Sequence, residues 1–164
     1  MALLFNKRGS AMHQRTTNLF MFCLISFIVL ISCPYRLILI RGDSMHPTYK
    51  NGDIVLATRK FEIQKNDIVV AKDEYGEFII KRVKYIPGDF YYFYLIYSDK
   101  PEKVFINNDS YNSIKNYKNL NIKLFETELE KNQYFLIGDN SNHSDDSRRF
   151  GPVYKEDIIY KVIR

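Results

Sequence analysis

Three clusters in the 164-residue sequence carry residue types suited to nucleophilic or acid-base chemistry. The first is Gly42-Asp43-Ser44-Met45-His46-Pro47-Thr48, and the second is Ile79-Ile80-Lys81-Arg82-Val83, leading into Pro87-Gly88-Asp89. The third runs from Gly138-Asp139-Asn140 through His143, Ser144, Asp145, Asp146 and Ser147 to Arg148, Arg149, Phe150 and Gly151. Cys23 and Cys33 are the only cysteines and both precede these clusters, so no thiol nucleophile, disulfide or cysteine zinc site is available there. The stretch from Asp139 to Asp146 is acidic like a calcium loop. Where such a loop needs a sixth-position Gly and a twelfth-position Glu, it has Ser144 and Phe150. Neither a metal nor a cofactor is expected.

Lys81 stands apart from its basic neighbours. In a strand of period two it shares a face with Ile79 and Val83, whereas Arg82 shares the other face with Lys84, so Lys81 is the cation directed toward apolar surroundings. Burial lowers a lysine pKa. Bringing it from about 10.4 to about 7 costs roughly 4.6 kcal/mol, at about 1.36 kcal/mol per unit, and a neutral amine then becomes able to take the proton of a serine hydroxyl. Ser44 is the candidate nucleophile for such a Ser-Lys hydrolase, which needs neither histidine nor metal. A Ser-His-Asp arrangement is the chemical rival. His46 is two residues from Ser44 and poorly placed to swing back to it, which leaves His143.

These clusters require strands to hold them. From Arg36 onward the sequence consists of short alternating or β-branched runs: 37–40, 54–58, 67–71, 78–86, 90–97, 104–106, 134–137 and 158–163. Turns fall at Pro47, Asn51-Gly52-Asp53, Pro87-Gly88-Asp89 and Gly138-Asp139-Asn140. The fold class expected is mainly β. A short helix is expected over 123–131, and 107–121, rich in Asn, Lys, Ser and Tyr, reads as a surface loop.

The net charge of +5 is unevenly spread. Lys7, Arg8 and Arg15 stand in a first segment without acids, and residues from 36 onward hold the other 21 basic residues against all 19 acidic ones. That mixture offers no clustered cationic surface for nucleic acid, so no nucleic-acid partner is expected. The 20 residues from Thr16 to Tyr35 carry no charge, and as a helix they would span about 30 Å, the thickness of a hydrocarbon core. This reads as a single transmembrane anchor following a cytoplasmic segment 1–15. The positive-inside rule then places residues 36–164 outside the cell membrane. Two cleaved alternatives compete: a signal peptide, for which Ser32-Cys33-Pro34 is a poor cleavage site, and a lipoprotein, in which Leu30-Ile31-Ser32-Cys33 would deliver a lipidated Cys33.

In their order along the chain, the apolar segment, Gly-x-Ser-Met-x-Pro-Thr, Lys-Arg-Val with Pro-Gly-Asp, and Gly-Asp-Asn-x-x-x-Ser-x-Asp-Ser-Arg-x-x-Gly together resemble the type I signal peptidases. These are membrane-bound serine proteases that cut signal peptides from exported preproteins. The resemblance implies a β-rich signal-peptidase-like catalytic core with Ser44 as nucleophile, Lys81 as general base and Ser144 orienting the lysine amine. Asp146 and Arg148 would form a supporting ion pair. The Ser44 backbone N–H would hold the oxyanion, helped in some members by a hydroxyl two residues earlier, where this chain has Gly42. The partners implied are the cleavage regions of preproteins, bound as an added strand with small side chains at the first and third positions before the cut, and the lipid bilayer. Met45 and Ile80 are candidate walls of the substrate pockets, and residues 90–133 would be a small insertion in the core. Self-cleaving repressors share the Ser-Lys pair but carry a DNA-binding module where this chain has its apolar segment. A short family member specialised for pilin maturation or conjugative transfer would show the same clusters, and an anchored β module without catalysis would keep the turns and the core without needing Lys81 on an apolar face.

Overall fold

The computed structural model describes residues 14, 17–28, 32–96, 102–115 and 122–163. Contacts divide the chain into two units, Met1–Pro34 and Tyr35–Arg164. In the first unit, residues 17–28 are helical (α1). Positions 16 and 29–31 of the expected anchor lie outside the described residues. Among the described residues, no helix is long and apolar enough to cross a membrane.

The second unit is mainly β. Seven strands form one sheet: β1 (Tyr35–Leu39), β2 (Ile54–Thr58), β3 (Ile68–Lys72), β4 (Phe78–Tyr85), β8 (Gln133–Ile137), β9 (Val153–Tyr154) and β10 (Ile158–Val162), in the order β1-β2-β10-β3-β4-β8-β9. Every pairing from β1 to β4 is antiparallel, and four such steps leave β1 and β4 running in the same direction. The two-residue strand β9 is too short for alternation to have revealed it. β3 is buried along Ile68–Ala71, as a strand covered on both faces should be. Val69 and Ala71 share one core cluster with Val83, Leu136 and Ile158. A second cluster joins Ile40, Met45, Val55, Ala57, Ile68 and Val162, so the Ser44 turn is fastened to the sheet by its neighbours Ile40 and Met45. Full burial of one such side chain contributes about 1.5–3 kcal/mol.

The expected insertion forms a sheet of its own. In it β5 (Phe90–Ile96) is central between β6 (Glu102–Ile106) and β7 (Ile122–Glu128). Two expectations fail here for tertiary reasons. The helix expected over 123–131 is replaced by β7, because all seven residues of β7 pair with the aromatic strand β5 from Phe90↔Glu128 to Ile96↔Ile122. The expected loop over 107–121 contains a helix, α2 (Asn108–Lys115), while 116–121 lie outside the described residues. Asn107 caps α2 by accepting the Ser110 N–H at 2.7 Å, and Tyr111 packs on Tyr92 with ring centroids 4.6 Å apart. Tyr91, Phe93, Leu129 and Phe135 bury the junction of this sheet with β8.

Candidate active site

Each of the three clusters is carried by a different part of the main sheet. Ser44 lies in the turn that follows β1, Lys81 is inside β4, and the third cluster begins where β8 ends at Ile137. Alternation in β4 puts Lys81 and Val83 inward, 4% and 0% exposed, and Lys81 pairs across the sheet with fully buried Val69. The β1–β2 connection closes over Ile40, whose N–H donates to Asp53 O at 2.8 Å and whose carbonyl accepts the Gly52 N–H at 2.9 Å. From there the chain delivers the Ser44 hydroxyl to the amine: Lys81 Nζ and Ser44 Oγ are hydrogen-bonded at 2.8 Å.

Burial pushes the Lys81 ammonium below the usual lysine range. Asp146 and Asp145 oppose this through space, and Arg148 adds to it. Among the described residues, no carboxylate comes within ion-pair distance of Lys81. The nearby acids are neutralised elsewhere. Asp146, 1% exposed, accepts Arg148 Nε at 2.9 Å and Arg148 Nη2 at 2.8 Å. It also takes the backbone N–H groups of Gly138 at 2.9 Å and Arg148 at 3.2 Å. Desolvation alone would raise the Asp146 pKa. The hydrogen bonds from Arg148 and the Gly138 N–H, with the Ser144 hydroxyl nearby, outweigh it and hold the carboxyl below its ordinary value. Asp146 also caps the single turn α3 (Ser147–Phe150), and Ser147 Oγ accepts the Leu136 N–H at 3.0 Å, locking that turn onto β8.

Ser144 is placed by close contact rather than by a hydrogen bond. Its Oγ is buried with no partner of normal hydrogen-bond geometry, to Lys81 or to any other described group. A Cβ on Gly138 would fall 2.1 Å from Ser144 Oγ, 2.5 Å from Ser144 Cβ and 2.5 Å from the Ser44 carbonyl oxygen. Gly138 therefore lets the third cluster lie directly against the nucleophile turn.

The sequence reading missed a clamp that joins all three clusters. Arg82, on the opposite face from Lys81, grips Asp139 with Nε–Oδ1 at 2.7 Å and Nη2–Oδ2 at 2.6 Å, and the Thr48 hydroxyl donates to the same carboxylate. Asn140 completes it: its N–H donates to Ser44 O at 2.9 Å and its Nδ2 to Asp43 O at 3.1 Å. The signal available was the placement of Arg82 and Gly-Asp-Asn immediately beside the chemical residues. Alternation discounted Arg82 because it looks only along one strand.

A groove of about 370 Å³ leads away from Ser44. β1 supplies Ile38 and Leu39, followed by Ile40 and Arg41, while β4 supplies Phe78 to Lys81 with Glu77 just ahead of it. β1 is a sheet edge, and residues 78–81 of β4 pair with β3 only, since β8 begins to pair at Arg82. Ile80 lines the groove. Met45, 1% exposed, is packed in the core cluster and does not line it. His46 and His143 are exposed, and neither imidazole hydrogen-bonds Ser44.

The chain is similar to known proteins over most of its length. The chain is 28% identical over 138 residues to signal peptidase I V of Bacillus subtilis, covering 73% of this chain and 79% of that protein. It is also 28% identical over 165 residues to signal peptidase IB of Staphylococcus aureus, covering 84% and 82%. The crystal structure of a signal peptidase I from Enterococcus faecalis aligns with 26% identity and a TM-score of 0.40, over 63% of this chain and 98% of that one. The family model "Signal peptidase, peptidase S26" matches residues 13–163, which takes in the apolar segment and all three clusters, and the chain belongs to that family.

Proposed function

We propose that this chain is a type I signal peptidase, a serine endopeptidase that releases signal peptides from preproteins with Ser44 as nucleophile and Lys81 as general base. The observation that carries the reading is a buried lysine amine, free of any ion pair among the described residues, 2.8 Å from a serine hydroxyl at the head of an open-edged groove. Neutral Lys81 takes the Ser44 proton as Oγ attacks the scissile carbonyl, and the Ser44 backbone N–H receives the developing oxyanion. The resulting Lys81 ammonium returns the proton to the departing amine, leaving an acyl-enzyme. The neutral amine then activates the water that hydrolyses it. Ser144 and the Asp146–Arg148 pair act as positioning groups behind the dyad.

The free edges of β1 and of residues 78–81 suit a substrate segment that adds as a strand between them, with Ile38, Ile80 and Val70 leaving room for small side chains. The anchor reading also belongs here: the uncharged segment that begins at Thr16 and ends ahead of β1 spans the bilayer, so that Tyr35, taken from the sequence as its last residue, belongs to the domain instead, and Lys7, Arg8 and Arg15 stay on the cytoplasmic side. Exposed apolar cross-strand pairs at the start of the domain, Leu37↔Leu56 and Leu39↔Ile54, support a β1–β2 face that rests against lipid. Cleavage of a preprotein bearing Ala-x-Ala tests the chemistry. Ser44→Ala and Lys81→Ala should each abolish it, and His46→Ala and His143→Ala should leave most of it. Wild-type turnover in Lys81→Ala would end the reading. Protease added to spheroplasts should remove the domain and leave a small N-terminal fragment, and full protection would overturn the topology.

A further inference from the structure

The groove has two chemically different ends. β1 and β4 run in the same direction across it, so the ends of both strands nearest Ser44 lie together, with Ile40 and Arg41 near Lys81. The opposite end carries Ile38 from β1, Phe78 from the start of β4 and Glu77 just ahead of it. Glu77 precedes Lys81 by four residues, about 13 Å along an extended strand at roughly 3.3 Å per residue.

The charges around Glu77 do not cancel it. Glu74 is paired with Arg149 at 2.9 Å, and Asp145 is held by the same guanidinium. The Asp73 carboxylate accepts the N–H groups of Tyr75 and Glu77. Lys72, opposite Phe78 in register, lies with its ammonium 5.8 Å from the centre of the Phe78 ring. Among the described residues, Glu77 has no cation within ion-pair distance. Arg41, which follows β1, is the other charged side chain of the groove besides Glu77 and Lys81, and the remaining lining apart from Ser44, Ile38 to Ile40, Val70 and residues 78–80, is apolar.

We infer that Glu77 is a specificity determinant which favours a basic side chain, and disfavours an acidic one, about five residues before the bond that is cut. This deepens the proposed signal peptidase activity and rests on it. A substrate strand whose scissile carbonyl sits at Ser44, and whose preceding residues fill the groove, brings its fifth residue level with Glu77. At that position an opposite charge is attracted and a like charge repelled across the groove. Glu77 makes no contact with the dyad, so its effect falls on substrate choice and leaves the chemistry alone.

The test uses the full-length protein in detergent and three preproteins identical except for Lys, Gln or Glu at the fifth position before an Ala-x-Ala cut. For wild type, kcat/KM should favour Lys over Glu by about fivefold, as expected for exposed charge pairs. Glu77→Gln should bring that ratio near one and Glu77→Lys should invert it, each ratio being read within a single enzyme. The preference should shrink in about 1 M salt, where screening acts within roughly 3 Å. If the Gln substrate is cut but the Lys-to-Glu ratio is the same in wild type and Glu77→Lys, this inference is wrong and the proposed activity stands. If wild type cuts none of the three, the proposed activity falls and the inference with it.

Discussion

Gly138→Ala isolates the contact that brings the third cluster against the nucleophile. The added methyl would stand 2.5 Å from the Ser44 carbonyl oxygen, against an ordinary contact of 3.4 Å, so the two backbones must separate by about 0.9 Å. Turning the Ser144 hydroxyl does not relieve the contact, because Ser144 Cβ is itself 2.5 Å from the methyl, and the Ser44 carbonyl is held by the Asn140 N–H at 2.9 Å. Overpacking of this kind costs about 1–3 kcal/mol, which for a chain of this size corresponds to a Tm lower by roughly 2–10 °C. The same displacement carries Ser44 Oγ away from Lys81, now 2.8 Å distant, and a misplacement near 1 Å reduces turnover about 100-fold. Gly88→Ala is the control. Gly88 has φ +85° with nothing within 4 Å of an added Cβ, and its turn lies outside all site contacts, so it should lose about 1–2 kcal/mol of stability from strain alone while keeping kcat/KM. Differential scanning fluorimetry and preprotein cleavage on the purified variants measure both quantities. Wild-type Tm and turnover in Gly138→Ala would refute the close-contact argument, and equal activity losses in the two variants would show that strain, not displacement, matters.

The acid limb of the kcat/KM profile should follow Lys81. Because burial lowers its pKa, activity rises as pH climbs through that depressed value, and a profile without an acid limb would contradict the assignment. For stability the same shift has a definite sign: the folded state gives up the Lys81 proton before the unfolded state does, so stability rises with pH between the depressed value and the unfolded value near 10.4. Lys81→Met should remove that slope and raise Tm at neutral pH while abolishing cleavage. Asp146→Asn should lower Tm at pH 7, with the difference from wild type closing in acid, because the Asp146 carboxylate contributes stability above its unfolded pKa near 3.9 and loses it as pH falls through its depressed folded value. Arg82→Ala removes the two-point ion pair from the Asp139 carboxylate, whose side chain is 14% exposed, and should lower both Tm and turnover, with Arg82→Lys recovering part because one ammonium cannot reproduce the two-point grip. Ser144→Ala removes a buried hydroxyl that has no partner and should leave Tm unchanged or higher; a large fall in Tm would mean that the hydroxyl is bonded in solution.

The sequence alone was enough to determine the β class, the inward face of Lys81 and the turns that carry the candidate clusters, because each depends on a short-range rule. Period-two alternation places Lys81 with Val83, and Gly, Pro, Asn and Asp mark the turns that carry Ser44 and Gly138. Only tertiary structure decided what lies against what. Residues 123–131 hold enough straight-chain and charged side chains to suggest a short helix, where the structure has the strand Ile122–Glu128. Pairing with β5 along its whole length makes it a strand, and no local preference could reveal that partner. Met45 looked like a pocket wall from its place beside Ser44, yet it is core, because its direction depends on how the turn closes over Ile40 and Val55. Arg82 is turned away from Lys81 by alternation alone. It supports the site from behind, because Asp139, 57 residues later, returns to the same strand with Thr48 on the same carboxylate. Alternation gives the face on which a side chain stands, whereas the neighbour that meets it there comes from another strand and is settled only when the sheet closes.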